Sequence, residues 1–569
     1  MALALPNSTL SSYPMKTWLL IRSSIAAVLA VLPSLLVGLA LGSTPMPRGM
    51  QTDADVVVYG GTSGGIAAAV SASRLGKSVI LIEPTAFLGG MTTGGLGATD
   101  IGNKRCIGGI SREFYRRIFK HYQDPAHWTH ETREMYFKGR TINSQNEDSM
   151  WTFEPHVASI VFDQMLKETN VQVVFNQRLD RQAGVHKNET TIETIRMETG
   201  EVYGAKVFID ATYEGDLMAA AGVSYHVGRE ANTTYGETIN GIQKEKTIHH
   251  QFVKPVDPYI TPGDPNSGLL PNIVPMPQGS DGDGDHRLQA YNYRMCTTDI
   301  PANRVPWPKP QRYNELDYEL LLRNFEASDR RIPWAPIWMP NRKTDVNNNF
   351  AFSTDYIGRN YDYPDADYAR REEILKDHES YQQGLMWTLA NHPRVPESIR
   401  QVFQNNGLAK DEFLDNGNWP RQLYVREARR LVSDYVMTEK NCKRIEVVND
   451  SVGMGAYNMD SHNTQRYVTS EGLARNEGDV QIPTKPYPIS ARSIFPKKSE
   501  CSNLLVPVCM SASHIAYGSI RMEPVFMVLG QSASELACLA IDQRQSVQDV
   551  PYAALQTRLQ EVGQVLDFE

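Results

Sequence analysis

The chain is poor in cysteine, lacks an excess of basic charge and shows no internal repeat. Six cysteines in 569 residues, none in a C-x-x-C pair, exclude a disulfide scaffold, a thioredoxin-like redox motif and a structural zinc site of the usual spacing. Cys509 and Cys538 lie in apolar runs and read as buried thiols, while one or two ordinary disulfides among the other cysteines stay open. With 57 Lys and Arg against 65 Asp and Glu, the net charge of −8 leaves no electrostatic footprint for nucleic acid. The absence of a fixed period excludes a solenoid or propeller. What remains is an ordinary globular balance, 41% apolar and 21% charged, in a chain long enough for several domains or one large discontinuous domain.

Residues 25–41 form an apolar stretch of 17 residues, interrupted by Pro33, Ser34 and Gly38 and preceded by Lys16 and Arg22. Its length falls between the roughly 7–15 residues of a secretory signal core and the roughly 17–25 of a spanning helix. Residues 1–43 therefore read as a signal peptide or a membrane anchor, and the chain as secreted or tethered through residues 25–41. Four N-x-S/T sequons, at Asn7, Asn188, Asn232 and Asn449, suit that route and a glycosylated product.

Downstream, Asp55-Val-Val-Val-Tyr59 reads as a buried parallel strand. It meets Gly60, Gly61, Thr62, Ser63, Gly64 and Gly65, then a helix of small residues, then the strand Ser78-Val-Ile-Leu-Ile82 and the acid Glu83. The acid stands 18 positions after Gly65, close to the roughly 20 of a dinucleotide-binding unit. Such a turn presents the N–H groups and positive end of a helix to a pyrophosphate, and Glu83 accepts hydrogen bonds from ribose hydroxyls. Thr62 replaces the middle glycine of the motif, so its side chain must turn away from the diphosphate or join it. A second glycine-rich segment holds Gly89, Gly90, Met91, Gly94 and Gly95, and permits close backbone approach to a longer dinucleotide such as FAD. A nicotinamide dehydrogenase has little use for it.

The blocks VVVYGGTSGGIAAAVSASRLGKSVILIE, FLGGMTTGGLGATDIGN, WTFEPHVA, FIDATYEGDLMAAAGVSY and LLVPVCMSASHIAYGSIRMEPVFMVLGQSA resemble the FAD-dependent oxidoreductases of the two-dinucleotide-binding, glutathione-reductase-like type. The resemblance extends from about residue 54 to about residue 566, and some members of the group carry the label xanthan lyase. It implies an α/β fold: a Rossmann-like FAD-binding domain, a parallel sheet with flanking helices, built from residues 52–227 and 484–569. An α+β substrate or cap domain, 228–483, is inserted between the two parts. It also implies noncovalent FAD held by residues 60–65, Glu83, Gly90 and Met91, with Val173 beside the adenine and Ala211 and Thr212 at a strand end. Tyr213 stands where many relatives have glycine.

At the other end, 503–509 reads as a strand, 510–519 as a loop, and Arg521-Met-Glu-Pro524 as the opening of a long helix. The resemblance points that helix and Arg521 at the flavin pyrimidine, where reduction gathers negative charge. His514 and Tyr517 are candidates for proton transfer at the substrate face, or for lining it. Within the insertion, 367–390 and 423–435 read as helices, the second carrying Arg426, Glu427, Arg429 and Arg430 as surface ion pairs or an anion clamp. Asp460 and His462 belong to a polar block that reaches toward the flavin, and Asp281, Asp283 and Asp285 read as a solvated turn. The expected activity is oxidation of a small organic substrate, including one of secondary metabolism, by hydride transfer to flavin. The alternatives are a nicotinamide dehydrogenase, a carbohydrate lyase or a tethered, noncatalytic flavin-binding protein.

Overall fold

The computed structural model describes residues 51–140, 143, 147–277 and 279–568. The expected signal or anchor, 1–43, and the Asn7 sequon lie outside the described residues. The strand β1, Gln51–Tyr59, takes the centre of the main sheet because its Val56–Tyr59 half is β-branched or aromatic and fully buried. It is followed by the helix α1, Ser63–Arg74, the strand β2, Val79–Ile82, and the short helix α2, Gly90–Gly94. Strands β3, Gln172–Val174, β4, Val185–Asn188, β5, Thr191–Arg196, and β6, Val202–Asp210, complete the first part. The order is β3-β2-β1-β6-β5-β4. Pairs among β3, β2, β1 and β6 are parallel, with Val58 opposite Leu81 on one side and Ile209 on the other; β4 and β5 add an antiparallel ribbon.

The far end of the chain returns to this sheet. Leu504 and Leu505 pair in parallel with Phe208 and Ile209 of β6. The helix Glu523–Gln543 then packs on α1 almost backbone to backbone, since a Cβ on Gly530 would lie 2.0 Å from the carbonyl oxygen of Gly64. By length and composition this is the one described helix apolar enough to cross a membrane, yet it is the buried core helix of the fold. The result is the expected α/β, Rossmann-like fold assembled from both ends of the chain.

Between the two parts, the insertion builds an antiparallel five-stranded sheet from Ala335–Trp338, Lys343–Asn347, Met295–Thr298, Gly407–Ala409 and Arg304–Val305. Beside it runs the helix Tyr368–Asn391, capped by Asp367, whose carboxylate accepts the Arg370 amide. Two expectations need correction. Residues 423–435 are not helical: Arg430–Leu431 forms a short strand against Tyr225–His226. Arg426, Arg429 and Arg430 are buried and pair with Asp355, Asp216 and Glu230 of other segments, so tertiary ion pairing overrides local helix preference. The second correction is in 510–519, where Ser513 caps a helix, His514–Ile520, by accepting the Ala516 amide. All six cysteines are free and buried. Asp281 accepts the Lys244 and Glu245 amides and Asp285 pairs with Arg229, so the acidic run is a hydrogen-bonded turn.

The β1–α1 junction yields a test. A Cβ on Gly65 would lie 1.9 Å from the carbonyl oxygen of Gly60. Gly65→Ala must push helix and strand apart, at a cost of about 1–3 kcal/mol or more. Denaturant unfolding should show the lowered midpoint; an unchanged midpoint would contradict the close approach.

Candidate functional site

The turn after β1 is built for close contact. Gly60 has φ +101°, a conformation that side chains resist, and its amide donates to Ile82 O at 2.8 Å. Thr62 caps α1: its hydroxyl accepts the Gly65 amide at 3.2 Å and donates to Ala211 O at 2.7 Å. That hydroxyl is thus committed inside the turn, which answers the question posed by threonine in place of glycine. No acceptor from the described residues meets the amides of Ser63 and Gly64, which leaves the positive end of α1 suited to an anion.

Glu83 follows β2 and braces the turn from the side. One carboxylate oxygen accepts the Gly61 amide at 2.7 Å; the other accepts the Thr85 amide and hydroxyl, each at 2.7 Å. Burial pushes this carboxyl up to about 7 despite those hydrogen bonds. Gly60, Thr62, Glu83, Gly90 and Thr212 line a cleft, which the insertion completes with Tyr363, Tyr368, Arg371 and Arg421. Ala211 is fully buried behind it. Val173 sits half-buried in β3 opposite Leu81, outside the wall of the cleft.

Beyond Gly90 the chain draws together a second group of residues. Tyr213 accepts the Met91 amide at 2.9 Å and donates to Glu523 at 2.8 Å, and Ser63 and Thr92 donate to the same carboxylate. Arg521, just before the Glu523–Gln543 helix, donates to Tyr424 Oη at 2.9 Å and to Asp460 at 3.1 Å. Asp460 also meets His462 Nε2 at 3.3 Å, while His462 Nδ1 meets Asp355 at 2.8 Å. Tyr457 donates to Asp100 at 3.3 Å, and Arg294 is bound by Asp345 through two bonds of 2.8 Å. Asp100 and Asp460, 22% and 17% exposed, give this polar cluster its contact with solvent. Arg294 Nη1, Arg426 Nε and Arg521 Nε are buried without a hydrogen-bond partner. Three such donors around one tyrosine leave room for acceptors from water or a bound molecule.

The charges here are set by their neighbours. Burial would raise the Asp460 carboxyl, but His462 and Arg521 outweigh it and hold it at about 2. Burial and Arg426 oppose charge on His462, yet Asp355 and Asp460 prevail and raise its pKa. Asp479, buried near the ionised Asp460, is pushed up to about 8.

Of the three residues expected at the reacting face, Arg521 joins this cluster. His514 does not: it is 2% exposed, its Nδ1 bonded to Glu427 at 2.7 Å and its Nε2 to Ser461 Oγ at 3.0 Å. Tyr517 is equally buried and donates to Val508 O at 3.1 Å. Both side chains are thus engaged in the core, His514 through its two ring nitrogens and Tyr517 through its hydroxyl. Arg294, Tyr424, Asp100 and Tyr457 are the members that sequence reasoning missed. Their weak signal is alternation: Asn292 and Arg294 share a face with Tyr424 and Arg426 because Tyr293 bridges Leu423 in antiparallel register.

The family described as FAD dependent oxidoreductase matches residues 55–559. No curated protein matches the chain. Among solved structures, an anhydrotetracycline hydroxylase from Streptomyces rimosus is similar at 10% identity over 32% of this chain and 36% of that one, with a TM-score of 0.23. A thioredoxin reductase from T. acidophilum is similar at 18% identity over 32% and 40% of the two chains, TM-score 0.17. A 3-ketosteroid-delta4-(5alpha)-dehydrogenase from Rhodococcus jostii is similar at 17% identity over 30% and 48%, TM-score 0.18. The chain thus spans less than half the length of each.

Asp479 makes the electrostatics testable. Its folded pKa of about 8 lies above the unfolded aspartate value, so it favours the fold at low pH. That contribution is lost as pH rises from about 4 through about 8. The melting temperature of the wild type should fall relative to that of Asp479→Asn across this window and level off above it. Parallel pH profiles for the two proteins would refute the assignment.

Proposed function

The chain belongs to the FAD dependent oxidoreductase family, and from that premise we propose that it oxidises a small organic substrate at the polar cluster around Asp460. FAD is the cofactor, and it supplies the hydride acceptor, N5 of the flavin. The residues present fit it. The glycine turn permits close approach, the open amides of Ser63 and Gly64 suit the diphosphate, and Glu83 faces the cleft that takes the adenosine. Arg521, at the head of the Glu523–Gln543 helix, would supply positive charge to balance negative charge on a bound flavin.

The observation that carries this reading is the position of Asp460. It is ionised, partly open to solvent and bonded to both Arg521 and His462. When a substrate C–H gives up its hydride, the neighbouring hydroxyl or amine must lose a proton. Asp460 is the group placed to accept it, and His462, held between Asp460 and Asp355, orients that carboxylate. His514 and Tyr517 support this group from the core rather than touch the substrate. A secretory or membrane-tethered location accompanies the proposal, supported by the apolar stretch 25–41 and by exposed Asn188 and Asn449 sequons.

The test begins with anaerobic bleaching of the visible flavin band across a panel of alcohols, amines and hydroxy acids. With a reducing compound in hand, Asp460→Asn should keep stoichiometric FAD and slow flavin reduction by about 10²–10⁴-fold, the usual range for a lost proton acceptor. Reduction at the wild-type rate would remove Asp460 from the reaction.

A further inference from the structure

Four hydrogen bonds converge on two side chains where the glycine turn faces α2. The Met91 amide, expected to serve the cofactor, donates instead to Tyr213 Oη at 2.9 Å. Tyr213 in turn donates to Glu523 Oε1 at 2.8 Å. Ser63 Oγ, on the first residue of α1, donates to Glu523 Oε2 at 2.6 Å, and Thr92 Oγ1 does so at 2.7 Å. The tyrosine ring is pressed against the backbone, since a Cβ on Gly90 would lie 2.3 Å from its hydroxyl. One buried carboxylate therefore ties together the first turn of α1, α2, the end of β6 and the start of the Glu523–Gln543 helix.

We propose that Tyr213 and Glu523 form a latch across the diphosphate path, which FAD must open in order to load. The argument is steric and electrostatic. The Glu523 carboxylate lies at the N-terminus of α1, the place where a helix attracts an anion. A diphosphate brought to that helix end must displace the Glu523 side chain, and the tyrosine hydroxyl holds an amide that a phosphate oxygen can accept from. Loading is then an exchange: Tyr213 releases Met91, Glu523 turns away from Ser63 and Thr92, and the freed donors pass to the cofactor. Burial disfavours the charged form of Glu523, which fits a group held in place by three donors rather than by a cation.

The test is stopped-flow loading of free FAD into protein stripped of its flavin, read by quenching of FAD fluorescence. Tyr213→Phe removes the hydroxyl and keeps the ring; Glu523→Gln removes the charge and keeps the shape. Both variants should load at least tenfold faster than the wild type. Their flavin-free forms should melt at lower temperature, while their loaded forms melt with the wild type. Loading within twofold of the wild-type rate would overturn the latch. Loss of FAD binding in both variants would also overturn it, by making these residues cofactor ligands. Stoichiometric flavin in the purified wild type checks the cofactor independently, so the two failures are distinguishable.

Discussion

Two helices from opposite ends of the chain touch with almost nothing between them, and the rest of the architecture depends on that contact. Gly64 of α1 and Gly530 of the Glu523–Gln543 helix approach so closely that neither tolerates a side chain. The approach brings the C-terminal helix onto the first turn of α1, which places Glu523 beside Ser63 and Arg521 above the polar cluster. Small residues here are a geometric requirement of the site: they let two helix starts, two positive dipole ends, point into one shared space.

The insertion meets a different constraint. It carries arginines into the interior, and each charge taken out of water needs a partner. Asp345 holds Arg294, Asp355 meets Arg426, and Asp216 is gripped by Arg371, Arg429 and Arg181. These pairs set the backbone path of 423–435, because a helix there would turn some of the guanidinium groups away from their acids. They also leave single N–H groups unspent around Tyr424, next to Asp460. Structural pairing and the proposed reacting cluster thus draw on the same side chains.

What was legible in the sequence follows from how local each signal is. The β1 turn, α1 and Glu83 lie within about thirty residues, and steric rules for glycine and helix ends translate directly into that unit. The return of Leu504 and Leu505 to β6 was readable through resemblance, not through spacing. The reacting face was harder. His514 has the right chemistry by residue type, but its fate is decided by Glu427 and Ser461, which no local pattern places beside it. Arg294 and Tyr424 are far apart in the chain, so only their strand register unites them. Residues 423–435 read as a helix from the sequence because charge spaced for ion pairs along one helix face looks the same when each charge has a distant partner.

The late arrival of Leu504 and Leu505 at β6 has a consequence for biosynthesis. The main sheet lacks a strand, and α1 lacks its covering helix, until the ribosome has passed residue 543. Contacts of such sequence separation slow folding and prolong the exposure of unpaired edges. Until then the nascent protein carries an unfinished apolar surface, a natural client for chaperones, and the two helix starts that face each other are not yet assembled.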